Sequence, residues 1–66
     1  METRGYIREK ISEFERKLQF IAECREIEMS KSFRERNNDV LFLLHKDEVL
    51  FSYCLTEFKT ILQYIQ

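Results

Sequence analysis

Three side chains in this 66-residue sequence could bind a soft metal or pair a nucleophile with its base: Cys24, His45 and Cys54. A structural zinc site takes four such ligands, normally with one close-spaced pair, because protein atoms alone must close the tetrahedral shell. These three are isolated singles. A Cys-His nucleophile pair needs both groups within hydrogen-bond reach. If residues 40 to 53 form the hairpin argued below, His45 lies beside its tip with Cys54 about 20 Å away. Only Cys24 could then approach the imidazole. The pattern supports the plainer assignment of two small buried thiols and a histidine at a turn. No metal and no cofactor are expected.

Asp47 and Glu48 are adjacent carboxylates, but consecutive residues of a strand point to opposite faces, which is the wrong arrangement for shared acid-base work. A single glycine, Gly5, excludes glycine-rich phosphate loops and the nucleotide chemistry they support. The sequence predicts no enzyme.

Charge is plentiful and nearly balanced, 11 basic against 12 acidic residues, so there is no general attraction to nucleic acid. A local nucleic-acid surface could use Arg25, Lys31, Arg34 and Arg36. The helix that carries them also carries Glu9, Glu23, Glu26, Glu28 and Glu35, which would repel the same phosphates. A solvated face is the preferred reading of these residues, and a dimeric nucleic-acid-binding regulator is the alternative. The first residues lack the apolar core of a signal peptide, and no run approaches the roughly 18 apolar residues of a membrane span. Two cysteines allow one bridge at most and do not resemble the framework of a small secreted domain. A cytoplasmic protein without a membrane partner is expected.

The elements that must position these residues fall on either side of Asn37-Asn38. Ile7, Ile11, Phe14, Leu18 and Ile21 step by 4, 3, 4 and 3, which predicts one helix over roughly residues 3 to 36. Phe20, Cys24 and Ile27 continue the spacing one position over. Glu13 can reach Lys17 and Arg16 along that helix. The Met29-Ser30-Lys31-Ser32 stretch is its weak point, and Ser32 with Glu35 matches a capping box that could restart a helix. Arg34 and Arg36 suit a helix C-terminus, with Asn37 or Asn38 in the left-handed conformation that ends it. After the asparagines, Val40 to Leu44 and Val49 to Tyr53 favour strands joined across Lys46-Asp47. Thr56 then caps a short last helix bearing Phe58, Ile61, Leu62 and Ile65.

The expected fold is thus one small α+β domain over residues 1 to 66: long helix, two-stranded antiparallel hairpin, short helix. The alternative is an all-α helical hairpin dimerising into a four-helix bundle, because Phe51, Cys54, Phe58, Ile61 and Ile65 also step at helical spacing. Five consecutive apolar residues at 40 to 44 would wrap a helix on every side, which favours the strand. A chain this short has a marginal core of its own. Neither the hairpin nor a last helix of about 11 residues can cover a 34-residue helix about 50 Å long, so the stripe Ile7, Ile11, Phe14, Leu18 and Ile21 is expected to seal a homodimer. Aromatic residues make up 14% of the chain, more than so small a core hides. Aromatic side chains dominate interface energetics. The functional expectation is a non-enzymatic homodimer that binds an unidentified protein as inhibitor, modulator or assembly factor.

Overall fold

A computed structural model describes residues 2–65 and contains two helices, α1 over Thr3–Met29 and α2 over Asn38–Ile65, folded antiparallel into a hairpin. The hairpin measures 50 × 15 × 14 Å. The α+β expectation is therefore overturned: residues 40 to 53 are helical throughout, and among the described residues there is no strand. The all-α alternative describes the chain.

The reason lies in the periods of the two helices. The residues of α2 that turn toward α1 are Leu41, Leu44, Glu48, Phe51, Leu55, Phe58, Leu62 and Ile65, stepping 3, 4, 3, 4, 3, 4, 3. Their counterparts on α1 are Ile7, Ile11, Phe14, Leu18, Ile21, Arg25 and Glu28, stepping 4, 3, 4, 3, 4, 3. Two unbroken repeats of this kind mesh along their whole length as knobs into holes. A lone two-stranded hairpin would have been marginal by comparison, and tight hairpin turns want positive φ, which no described residue adopts. The run Val40 to Leu44 does wrap the helix, as the objection to a helix held. Leu41 and Leu44 turn inward, whereas Val40, Phe42 and Leu43 stay exposed.

The core is thin. Ile7 and Ile21 are each 5% exposed and are the only buried apolar residues among those described. Between them Phe14 fills the seam, its ring centroid 5.7 Å from those of both Phe51 and Phe58.

The long helix ends earlier than residue 36. At the Met29-Ser32 weak point the Ser30 hydroxyl donates to the Ile27 carbonyl at 2.7 Å, giving the backbone a competitor for its last turn. Ser32 closes a single turn by accepting from the amides of Glu35 and Arg36 but does not open a helix. Arg36 serves the end of α1 from across this turn, its guanidinium donating to the carbonyls of Met29 at 2.9 Å and Lys31 at 3.2 Å. Those carbonyls lie at a helix end, where α-helical partners run out. Asn37 does not close α1 in a left-handed conformation. It opens α2 instead, its Oδ1 accepting from the amides of Asp39 and Val40 at 2.9 and 3.2 Å, as an N-cap does. Thr56 lies inside α2 and caps nothing.

Candidate protein-interaction surface

Along α1, Tyr6, Glu13, Phe20 and Ile27 are spaced by seven and form a ridge beside the seam. Phe20 and Ile27 are each 64% exposed, so the stripe predicted to continue through them runs outside the core. Between this ridge and α2 lies a groove of about 500 Å³ lined by Glu13, Arg16, Lys17, Phe20, Ile21, Leu44, Asp47 and Phe51. Its apolar lining is Phe20, Ile21, Leu44 and Phe51. Charges edge both sides, Arg16 and the Glu13–Lys17 ion pair from α1 and Asp47 from α2. Lys17 also stands over the rings of Phe14 and Phe51, 5.2 and 5.3 Å from their centroids. A cation in that position covers aromatic surface while keeping its head in water.

Glu13 anchors this edge. It pairs with Lys17 at 3.3 Å, as the spacing predicts, and with Lys10 at 3.1 Å in place of the expected Arg16. The hydrogen bond from Lys10, followed by that from Lys17, holds the Glu13 carboxyl below its ordinary pKa. The same bond to Glu13 raises the pKa of Lys10.

A second apolar surface lies on the side of α2 turned away from α1. Phe42, Leu43, Val49, Leu50 and Tyr53 fall at i, i+1, i+7, i+8 and i+11, which gathers them on one face, and all are between 52% and 67% exposed. Lys46 stands in the middle of this stripe.

The five residues assigned to self-association, Ile7, Ile11, Phe14, Leu18 and Ile21, lie along one side of α1 and face α2 of the same chain. The uncovered length that argued for a dimer along them does not exist, because α2 is 28 residues long and matches α1. Of the four basic residues in the nucleic-acid alternative, three are already engaged. Arg25 pairs with Glu48 across the seam, Lys31 pairs with Glu28 at 2.8 Å, and Arg36 holds the α1 terminus. Arg34 is exposed in the turn.

Glu28 is 5% exposed, and its Oε2 meets the Lys31 ammonium at ion-pair distance though not in line for a hydrogen bond. The sequence reading missed both pairs, whose one signal is the 4-3 count carried past Ile21, which lands on Arg25 and then Glu28. His45 and Cys54 share α2, about 13 Å apart along its axis. Cys24 and Cys54 are free, half-buried thiols. Among the described residues no three His, Cys, Asp or Glu side chains gather as metal ligands. No helix among them is long and apolar enough to cross a membrane.

Comparison with protein-family models, with curated proteins and with solved structures finds no match to this chain.

Proposed function

We propose that the chain is a non-enzymatic regulatory or adaptor protein of the cytoplasm, acting as a homodimer that binds another protein and inhibits, modulates or assembles it. The observation that supports this reading best is the groove, an apolar floor with an exposed phenylalanine on its rim, Arg16 on one side and Asp47 on the other. Such a groove fits an amphipathic helix whose apolar residues recur at i, i+3 and i+4, with an acid toward Arg16 and a base toward Asp47. Binding would draw its energy from Phe20 and its apolar neighbours, and its orientation from the rim charges.

The nucleic-acid alternative draws less support, since three of its four basic side chains are spent on internal partners. Affinity capture from the native cell tests the two together, using tagged wild type and Phe20→Asp, whose side chain already faces water. A protein retained by wild type and lost from Phe20→Asp, with helix content unchanged, is the expected result. Retention of nucleic acid, with a duplex or single-stranded probe shifted at physiological salt, would overturn it. So would a partner held equally by both forms.

A further inference from the structure

We propose that the outward stripe of α2 seats a second copy of this chain, packed antiparallel about a two-fold axis so that Lys46 of each copy faces Glu57 of the other. This assignment rests on the homodimer in the function proposed above and says where that dimer forms. It moves the contact from the α1 stripe, which α2 already covers, to the opposite side of the hairpin.

Two helices of one chain are not alike. The outward side of α1 is polar along most of its length, with Arg8, Glu9, Ser12, Arg16, Glu23 and Glu26 exposed. The outward side of α2 carries Phe42, Leu43, Val49, Leu50 and Tyr53, interrupted by Lys46, and is therefore largely apolar over its first half, as its inner side is throughout. A contiguous exposed apolar patch on a second side of a helix is what a further neighbour would cover. α1 is one neighbour, and a second is called for.

The area decides what size that neighbour is. The hairpin exposes 5422 Å². A compact monomer of 8.2 kDa would expose about 4500 Å², so roughly 900 Å² is in excess. A standard specific interface removes about 800 Å² from each partner. The excess carried by this 50 × 15 × 14 Å rod is of the size that one copy loses in forming such a contact.

The pattern of side chains says that the neighbour can be another α2. The two rows of the outward face alternate by 3 and 4 as Leu43, Lys46, Leu50, Tyr53, Glu57 and Thr60. An antiparallel two-fold match centred between Leu50 and Tyr53 sets Leu50 against Tyr53, Lys46 against Glu57 and Leu43 against Thr60, each pair made twice. Lys46, the one base in this row, thereby meets its one acid. Among the described residues neither forms an ion pair within its own chain. An isologous contact needs this self-complementarity, and a closed two-fold pair is the commonest way for a small chain to satisfy it. The result is a four-helix arrangement with the two α2 helices at its centre.

Sedimentation equilibrium on the full chain tests the assignment, with circular dichroism confirming that each variant keeps its helices. Leu50→Glu, at a position outside the intramolecular seam, should weaken the dimer by about 100-fold or more, because it buries an unpaired charge. Lys46→Glu and Glu57→Lys should each weaken it about tenfold, and together restore the wild-type constant to within about threefold. A wild type that stays monomeric at high micromolar concentration overturns the homodimer and this assignment with it. A dimer indifferent to Leu50→Glu overturns the assignment alone and leaves the homodimer standing. A dimer sensitive to Leu50→Glu but not rescued by the charge exchange overturns the antiparallel register.

Discussion

Replacing Phe14 by alanine removes the one side chain that meets two aromatic rings of the opposite helix, Phe51 and Phe58, both at 5.7 Å. Truncating a fully buried phenylalanine costs about 3–5 kcal/mol. Phe14 is half-buried, which lowers that figure to about 2 kcal/mol, and the two ring contacts add about 1 kcal/mol between them. A chain of this length has a total stability of roughly 3–10 kcal/mol. Phe14→Ala should therefore remove about 3 kcal/mol, a third of the total or more, and lower the melting midpoint by at least about 10 °C.

The control is Phe20→Ala on the same helix, where the ring is 64% exposed and the expected change is under about 0.5 kcal/mol. Urea titrations followed by far-ultraviolet circular dichroism, at one fixed protein concentration, give both values. Any homodimer contributes to apparent stability, so concentration must not vary between them. Equal losses at positions 14 and 20 would refute the packing of α1 against α2 described above.

Arg25 ends the apolar part of the α1 row and Glu48 interrupts that of α2, and each side chain is more than a third exposed, at 39% and 37%. Alanine at either position should cost under about 1 kcal/mol, whereas Arg25→Leu with Glu48→Leu should gain about 1–3 kcal/mol in a thermal melt. Asn37→Ala should cost about 1 kcal/mol in urea by freeing the first amides of α2, with Asn37→Ser close to wild type. The Glu13 contribution should be complete above pH 4.5 and fade as pH falls through its lowered folded-state value. That of Lys10 should be complete below pH 10.5 and fade as pH rises through its raised value. A carboxyl NMR titration of Glu13 should show its midpoint moving up in Lys10→Met.

The inner row of α1 was legible from Ile7 to Ile21 because every step of it lands on an apolar residue. It ceased to be legible at Arg25, where the count continues but hydrophobicity does not, and the neighbouring Phe20, Cys24 and Ile27 took its place. The seam follows the count, since Arg25 can reach Glu48 and Glu28 can reach Lys31. In the second half, Val40 to Leu44 reads as a strand because a run apolar on all sides has no helical period of its own. That ambiguity is physical. The residues that blur the period, Phe42 and Leu43, are those left outside the fold of one chain. The groove was illegible because it needs the pairing of both helices, and the turn at Ser30 was visible only as a place where helix formers give way to serines.

The Arg25–Glu48 pair also limits sliding between the helices. Sequences that repeat by 3 and 4 suffer from a degeneracy: shifting one helix along the other by seven residues again sets apolar rows together. Here such a slip brings Leu41 or Leu55 to the level of Arg25 and leaves both ions of the pair without partners. Both side chains are more than a third exposed and can turn to water, so losing the pair costs under about 1 kcal/mol, a small part of the margin on which the chain folds. One ion pair near the turn therefore favours one alignment among several that the apolar residues alone would accept, as a detent does on a slide, without excluding the others.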